Sequence, residues 1–339
     1  MARELRIVGG GLAGLSLAVA LSKKGYPVTV FEAGQLPRHR VCGEFICGVS
    51  DQTLKTLGIE EDFSGALIHR ESVWRDGEGR EIYRAKLPRT ATGISRHLLD
   101  YRLVERIRRQ GGEVHLGERW RGDVAEEGTV FASGRLAERT DWLGFKMHIK
   151  GDLPSELSLF LGDEGYVGLS AVEGGYWNIC GLFRKRDGVR GSKEAILGHY
   201  ADKCSMPAVS DLLAGSKIQE GSAAGVAGVS FALPQQENGS MRIGDAWAVI
   251  PPFTGNGMSI ALESAETAIA PLSDWMEGSA SWSEVVGETA RAHERKFLRR
   301  LRVANFIHPW LLRSKRRPFL NLAAKSRLLP FQSLFSLTH

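Results

Sequence analysis

The residues with the clearest chemical meaning are three glycines near the N-terminus and an acid that follows them. Gly9, Gly11 and Gly14 fit the spacing GxGxxG, and Glu32 lies about twenty residues further along. In this arrangement the first glycine permits a tight turn, the second lets the backbone approach a pyrophosphate, and the third lets a helix pack closely on a strand. A carboxylate at Glu32 would accept hydrogen bonds from an adenosine ribose and repel a 2′-phosphate, which disfavours NADP here. The spacing predicts a dinucleotide site.

The elements around these glycines are the ones that such a site requires. We predict a strand over residues 5–8, a helix over residues 12–24 and a second strand over residues 28–31. The start of the helix would offer free N–H groups and a partial positive charge to the phosphates. This unit by itself fits FAD and NAD equally well.

A second glycine-rich element lies far downstream. A short strand over residues 241–243 is followed by Gly244 and Asp245, and the loop 251–258 leads into a helix predicted to run to about residue 272. A carboxylate at the end of a strand can bond a ribityl hydroxyl. The helix start can face the pyrimidine side of a flavin, where negative charge develops on reduction.

Side chains that transfer protons or bind metals give a weaker pattern. The candidates for proton transfer are His39, Glu44, His97 and His148, and the sequence does not pair them. The four cysteines form no CxxC pair, so we expect neither a metal site nor a thioredoxin-like site. So few cysteines in a chain of this length indicate a reducing compartment, and we expect a cytoplasmic protein.

The composition is that of a soluble globular protein with a sizeable core, because 43% of the 339 residues are hydrophobic and 24% are charged. No apolar stretch reaches the roughly 18 residues of a membrane-spanning helix. The net charge of +5 is mildly basic and indicates only a solvated surface, so we expect no nucleic-acid partner.

Together the two glycine elements resemble those of the FAD superfamily that contains aromatic hydroxylases, flavin-dependent halogenases and geranylgeranyl reductases. The resemblance extends over residues 7–272. Asp245 matches the aspartate that binds the flavin ribityl chain in that superfamily, and residues 252–257 are similar, without a gap, to the PLTGxG-like turn of the reductases. The resemblance implies an α/β fold with FAD as cofactor. A Rossmann-like FAD domain of the glutathione reductase type would carry an inserted antiparallel β-sheet for the substrate.

Three shorter segments carry the same resemblance. Residues 38–45 are similar to the Cys-Gly segment beside the flavin in geranylgeranyl reductases, which makes Cys42 and Glu44 the candidate catalytic residues. Residues 95–100 resemble an R-x-x-L-D segment whose arginine lies near the FAD phosphates, and residues 129–135 resemble a strand end that closes over FAD. The residues expected to contact FAD are Gly9, Gly11, Ala13, Gly14, Glu32, Ala33, Arg40, Arg96, Gly134, Gly244, Asp245, Pro252, Gly255, Asn256, Gly257 and Met258.

Two departures from the superfamily bear on the reaction. The hydroxylase DG motif is not recognisable near residues 133–139, which leaves open whether NAD(P)H is the electron donor. Of the tryptophan-centred motifs of the halogenases and reductases, only Tyr166 is present in residues 165–170. Three alternatives follow. A monooxygenase that hydroxylates a lipophilic or aromatic compound is the first choice, a double-bond reductase is the second, and a flavin-binding protein without turnover is the third.

The remaining segments set the expected domain organisation. Residues 142–184 read as strands with a hairpin turn at Gly174 and Gly175, and residues 195–213 read as helical. We expect a discontinuous FAD-binding domain over residues 1–140 and 215–290, and a substrate-binding sheet domain over residues 141–214. A basic helical C-terminal segment would occupy residues 291–339. That segment is either a helical cover with a solvated cationic face, which we favour, or a contact with anionic lipid or a substrate carrier protein. A lipid contact would place the protein peripherally at a membrane.

Overall fold

The computed structural model describes residues 2–123, 125–135, 138–231, 233, 239–312 and 337. The strands are β1 (Leu5–Val8), β2 (Val28–Glu32), β3 (Phe45–Cys47), β4 (Leu67–Arg75), β5 (Glu81–Gly93), β6 (Glu113–Leu116), β7 (Thr129–Phe131), β8 (Trp142–Lys150), β9 (Leu157–Gly162), β10 (Gly165–Val172), β11 (Tyr176–Arg184), β12 (Lys217–Ile218), β13 (Ala224–Ala227) and β14 (Met241–Arg242). The helices are α1 (Leu12–Lys23), α2 (Asp51–Leu57), α3 (Arg96–Arg109), α4 (Ile196–Lys203), α5 (Pro207–Ala214), α6 (Gly257–Glu277) and α7 (Trp282–Leu312).

The smaller sheet is parallel and has the strand order β14-β7-β1-β2-β6. Helix α1 packs against α3 and α6 beside it. Leu5, Ile7 and Val30 are fully buried, as expected for parallel strands that helices cover. The strand, glycine turn, helix and second strand predicted at the N-terminus are therefore confirmed.

The larger sheet follows the order β12-β8-β11-β10-β9-β4-β5-β3, and β13 also pairs with β8. Its neighbouring strands are antiparallel except for β4 and β9, which run parallel. The turn between β10 and β11 holds Gly174 and Gly175 at positive φ angles of 71° and 69°. The predicted α/β fold, with a Rossmann-like parallel sheet and a separate antiparallel sheet, is confirmed.

Two segments differ in detail from the sequence pattern. Residues 195–213 contain two helices, α4 and α5, rather than one. Ser205 adopts a positive φ of 57° between them, and Pro207, which has no N–H for a helical hydrogen bond, opens α5. Strands β3, β4 and β5 join the antiparallel sheet, although they lie within residues 1–140. The domain bounds themselves stay a prediction.

Helix α7 begins before the basic segment and runs into it. Phe297 and Leu301 are fully buried on its inner side, whereas Arg299 is exposed and Phe306 is 72% exposed. The later basic residues Arg313, Lys315, Arg316, Arg317, Lys325 and Arg327 lie outside the described residues. Within the described ranges, no helix has the length and apolar character needed to cross a bilayer.

Candidate active site and cofactor groove

A cavity of about 1220 Å³ begins at the carboxyl ends of β1, β2 and β7 and continues to the antiparallel sheet. Gly9 and Ala132, which follow β1 and β7, form one part of its wall, and Tyr166 and Leu182 of β10 and β11 form another. Open α/β sheets bind ligands at the carboxyl ends of their strands. The cavity therefore joins the predicted dinucleotide site to the antiparallel sheet.

Glu32 lines the part of the cavity that contains the glycine turn, which we call the groove. Its carboxylate accepts hydrogen bonds from the backbone N–H groups of Gly10 at 2.9 Å and Gly34 at 2.8 Å. Arg38 and Arg40 lie 3.1 and 3.3 Å from its two oxygens. Burial by itself raises the pKa of Glu32, but the Gly34 N–H and the charges of Arg40 and Arg38 outweigh burial and lower it. Glu32 is therefore ionised.

The glycine turn is closely packed against protein at Gly9 and Gly14 and is open at Gly11. A Cβ on Gly9, whose φ is +119°, would lie 2.3 Å from the carbonyl oxygen of Ala132, and a Cβ on Gly14 would lie 2.2 Å from the Gly9 carbonyl oxygen. Both glycines are thus required for packing. At Gly11 the nearest such atom is 3.7 Å away, and this residue begins α1 without a side-chain cap. The first N–H groups of α1 are available to an anion.

Three arginines and two carboxylates set the charge of this wall. Arg96 donates two hydrogen bonds to the buried Asp100 at 2.8 and 2.9 Å, and Arg40 lies 3.2 Å from the same carboxylate. Arg38 and Glu32 complete the group. Three cations thus face two anions, so the groove keeps an excess positive charge, which suits a pyrophosphate.

Asp245 lies further along the groove, in the turn after β14. The N–H of Gly244 donates to Ser264 at 2.9 Å, which fixes the turn. The Asp245 carboxylate opens onto the cavity and makes no hydrogen bond to the residues that the structure describes. The residue is exposed to the open cavity, but the protein around the carboxylate raises its pKa to about 6, although the charges of Arg96 and Arg135 oppose the rise. This unsatisfied carboxylate fits a hydroxyl-rich ligand chain.

The loop before α6 forms the next part of the wall. Gly255 has a φ of +71°, and a Cβ there would lie 2.3 Å from the ring of Phe45. Gly257 opens α6 and lines the cavity, and a Cβ at this position would have no neighbouring atom within 4 Å. The N-terminus of α6 can therefore face a bound ring with its N–H groups.

The structure brings nearly all residues predicted to contact FAD to this one cavity. Gly9, Gly11, Ala13, Glu32, Ala33, Arg40, Arg96, Gly134, Asp245, Pro252, Gly255, Gly257 and Met258 line it. Gly14, Gly244 and Asn256 do not line it. A Cβ on Gly244 would lie 2.8 Å from the Cβ of Ala13, so this glycine, like Gly14, permits close packing beneath the groove. The FAD contacts themselves stay predictions.

The two candidate catalytic residues lie in different environments. Cys42 lines the cavity, whereas Glu44 is fully buried behind the wall. Burial raises the pKa of the Cys42 thiol. At neutral pH Cys42 is therefore a thiol rather than a thiolate, which disfavours a role as nucleophile.

Glu44 belongs to a buried cluster of ionisable side chains that the sequence does not reveal. Its carboxylate is 3.1 Å from Lys146 Nζ and 2.5 Å from His148 Nε2. Lys146 Nζ is also 3.0 Å from His148 Nε2 and 3.2 Å from His39 Nδ1. The His39 ring stacks on that of His97 with the centroids 4.7 Å apart. Three of the four proton-transfer candidates thus contact Lys146, and the fourth, His97, stacks on one of them.

Electrostatics fix the charge states at two points of the cluster. Burial, together with the charge of Lys146, lowers the pKa of His39 to about 4. Burial raises the pKa of Glu44, but the hydrogen bond from His148 and the charge of Lys146 lower it further than burial raises it. At neutral pH His39 is therefore neutral, and the Glu44 position favours a negative charge.

His39, Glu44 and His148 also have the ligand types of a metal site, with their atoms within 4.8 Å of one another. The ammonium group of Lys146 contacts all three ligand atoms at 3.0–3.2 Å. It occupies the space that a metal ion would need and supplies the positive charge. The cluster is therefore suited to proton chemistry.

Lys146 was not among the candidate residues predicted from the sequence. The signal was present in β8, because Lys146, His148 and Lys150 alternate with apolar residues and so share one face of the strand. Ser222 and Gln219 were also missed. They hold His148 through its backbone N–H and its Nδ1, at 2.9 and 3.0 Å.

The far end of the cavity is lined by apolar and aromatic side chains. These are Trp74, Leu87, Leu157, Leu159, Tyr166, Leu169, Leu182, Val226, Val229, Phe231, Phe253 and Ile307. They come from the antiparallel sheet, from the segments around it and, in the case of Ile307, from α7. A charged ligand would lose hydration there without compensation.

Comparison with known proteins supports the assignment of the fold. Residues 7–45 match the family model for an NAD(P)-binding Rossmann-like domain. No curated protein matches the chain significantly. Among solved structures, the flavin-dependent brominase Bmp2 is 18% identical, with a TM-score of 0.74 over 99% of this chain and 94% of that one.

Two further structures represent other reactions on the same fold. The p-nitrophenol 4-monooxygenase PnpA from Pseudomonas putida DLL-E4 is 15% identical, with a TM-score of 0.71 over 98% of this chain and 99% of that one. A geranylgeranyl bacteriochlorophyll reductase-like protein from Thermoplasma acidophilum is 16% identical, with a TM-score of 0.70 over 91% and 87%. At these identities the similarity is one of fold, and it is the fold that the sequence resemblance predicted.

Proposed function

We propose that this protein is an FAD-dependent oxidoreductase that acts on a lipophilic or aromatic small molecule, with hydroxylation by a monooxygenase as the first choice. The observation that carries the proposal is the continuity of the cavity. Its polar end holds the glycine turn, Glu32 and Asp245, and its other end is lined by apolar side chains. A cofactor in the groove and a substrate in the apolar end would therefore meet inside the protein.

The residues present suit FAD. Glu32 would bind the adenosine ribose, the start of α1 and the excess positive charge near Arg96 would bind the pyrophosphate, and Asp245 would bind the ribityl chain. The N-terminus of α6 would lie against the pyrimidine ring and stabilise negative charge there. When bound, FAD supplies the transfer of electrons and hydride, and reduced FAD supplies reactivity towards oxygen.

The apolar end selects the substrate class. The side chains of Trp74, Leu182 and Phe231 offer contact area and no charge, which favours a neutral ring or hydrocarbon chain. Exclusion of water from this end would also protect reactive species during turnover. An open cavity argues against a flavin-binding protein without turnover, because that alternative needs a blocked substrate space.

Double-bond reduction is the second candidate. The observation in its favour is Cys42, a cavity-lining thiol whose raised pKa keeps its proton available at neutral pH. A protonated donor beside the cofactor suits the addition of hydrogen to an alkene.

The test supplies the FAD-loaded protein with NADH or NADPH and a panel of neutral phenols and isoprenoid alkenes. A monooxygenase forms a hydroxylated product that contains ¹⁸O from labelled oxygen gas. A double-bond reductase forms a saturated product under argon. Saturation without oxygen, combined with no oxygenated product in air, would replace the first choice by the second. The comparison of the two nucleotides also identifies the electron donor.

A contact of the basic C-terminal segment with anionic lipid or a carrier protein stays a prediction.

A further inference from the structure

Lys146 is a fully buried lysine in the middle of β8, and a carboxylate oxygen and two imidazole nitrogens surround its ammonium group. Glu44 Oε1, His148 Nε2 and His39 Nδ1 lie 3.1, 3.0 and 3.2 Å from its Nζ. A buried charge is tolerated only with such compensation. The second interaction of Glu44, with His148, is a separate short contact of 2.5 Å.

The short contact between Glu44 and His148 can hold one proton in either of two positions, on the carboxylate or on the imidazole. If His148 Nδ1–H donates to Gln219 Oε1, at 3.0 Å, the proton in the short contact is carried either by His148 Nε2 or by Glu44. The heavy atoms need not move between these arrangements. A proton with two such positions, next to an ammonium group, can be passed on quickly.

His39 connects this cluster to the cavity. Its Nδ1 faces Lys146, the residue lines the cavity, and its Nε2 makes no hydrogen bond to any residue in the described ranges. The neutral ring of His39 can therefore take up a proton at Nδ1 while it releases the proton that Nε2 carries.

We propose that Lys146, Glu44 and His148 form a buried proton store that delivers one proton to the cavity through His39. The inference rests on the proposed function, because flavin chemistry there consumes protons. Reoxidation of reduced FAD by oxygen is the simplest case: FADH⁻, O₂ and H⁺ give FAD and H₂O₂.

The delivery moves protons only. The proton on His39 Nε2 passes to the acceptor in the cavity, a proton of Lys146 passes to His39 Nδ1, and the proton shared by Glu44 and His148 passes to Lys146. The charge of the cluster falls by one. The same shifts in reverse refill the store when His39 Nε2 takes up a proton from water in the open cavity.

Several charged and titratable groups lie next to the store and next to His39. Lys146 and His148 of β8, His97 of α3, and Glu44 face His39. Cys42, together with Cys180 of β11, faces Glu44 and Lys146, and Arg96 of α3 faces Glu44. Arg96 is committed to Asp100, and burial raises the pKa of both thiols, so within this cluster the store and His39 are the groups suited to exchange protons with the cavity at neutral pH.

The decisive variant is Lys146→Arg, because arginine keeps the positive charge and the hydrogen bonds but does not release its proton. The full-length FAD-loaded protein is reduced with dithionite and mixed with oxygenated buffer, while flavin absorbance and proton uptake are recorded. We expect Lys146→Arg to reoxidise about 10- to 100-fold more slowly than wild type. The rate in wild type should be independent of pH near neutrality, whereas the variant rate should fall tenfold per pH unit. Lys150→Arg, an exposed lysine on the same strand, is the matched control.

Two further measurements keep the inference testable if arginine does not fit. Lys146→Ala should regain speed with added ethylamine and not with guanidinium, which has the same charge and is a far weaker acid. His39→Asn, at the half-buried cavity wall, should show the same slow reoxidation with Lys146 intact. Wild-type rates in Lys146→Arg or His39→Asn, with FAD bound, would overturn the proposal.

A readout without cofactor separates this inference from the proposed function. In cofactor-free protein, nitrogen NMR should show His39 titrating near pH 4, and Lys146→Ala should raise that pKa towards its ordinary value. An unchanged pKa would show that His39 and Lys146 are not coupled and would overturn the store. Absence of FAD binding by wild type would instead overturn the proposed function.

Discussion

The carboxylate of Glu32 accepts a hydrogen bond from the backbone N–H of Gly10 at 2.9 Å, so the acid at the end of β2 holds the glycine turn after β1 directly. The acid therefore shapes the predicted phosphate site as well as offering acceptors to a ribose. Arg38 and Arg40 form ion pairs with the same carboxylate, so Glu32 contacts both the glycine turn and the arginines of the groove wall.

Replacement of Glu32 should weaken FAD binding by about 10- to 100-fold, because hydrogen bonds to a charged group contribute roughly 1.5–3 kcal/mol. Glu32→Ala removes both the ribose acceptor and the support of the turn. The measurement is FAD titration of the cofactor-free variant by fluorescence. Glu61→Ala, with an exposed side chain, is the control. Wild-type affinity in a folded Glu32→Ala protein would contradict the assigned role.

Asp245→Asn should weaken FAD binding about tenfold and yet stabilise the cofactor-free protein at pH 8. In the folded protein the pKa of Asp245 is about 6, above its ordinary value of 3.8, so the carboxylate destabilises the fold increasingly as pH rises from about 4 to 6. The cost persists above pH 6, where water in the open cavity reduces it by screening, and asparagine removes it. Thermal unfolding at pH 4.5 and pH 8 tests this prediction. A variant that is less stable than wild type at pH 8 would show that the carboxylate has a protein partner.

Cys42→Ser should change turnover or the flavin spectrum, whereas Cys204→Ser should change neither. Cys42 lines the cavity, and Cys204 is fully buried in the core of the antiparallel sheet. Both variants replace sulfur by oxygen, so a general effect of the substitution would appear in both. Equal and negligible effects would leave Cys42 as a wall residue without a role in the reaction.

His293→Gln should reduce the loss of stability in acid. His293 is fully buried between α6 and α7, and burial lowers its pKa to about 4. The unfolded chain therefore binds more protons between pH 6.5 and 4, and the folded state loses about 3 kcal/mol over that range. Glutamine keeps an N–H for the Ser264 carbonyl, and the exposed His199→Gln is the control. Urea unfolding at pH 7.5 and 4.5 should show a difference about 2–3 kcal/mol smaller than in wild type. An undiminished difference would contradict the assignment.

The sequence predicted those parts of the molecule in which local pattern determines structure. The glycine turn, Glu32 and the strand before Asp245 follow local rules of turn geometry and strand ends, so the groove could be outlined before its structure was known. The cluster around Lys146 follows no local rule. Glu44 and His148 are separated by 104 residues, and their contact depends on how β8 of one sheet packs against the segment after β2. The alternation of Lys146 and His148 with apolar residues in β8 could have signalled a polar site, but it could not have identified the partners of these residues.

The central claim is that the groove binds FAD, and the most direct measurement is the identity of the nucleotide released by the purified protein. We expect a yellow protein that releases FAD, and not FMN, on heat denaturation, in an amount close to one per chain after reconstitution. Chromatography of the released nucleotide against standards of FAD, FMN and NAD decides the question. Release of NAD alone, or of no nucleotide after incubation with FAD, would contradict the account.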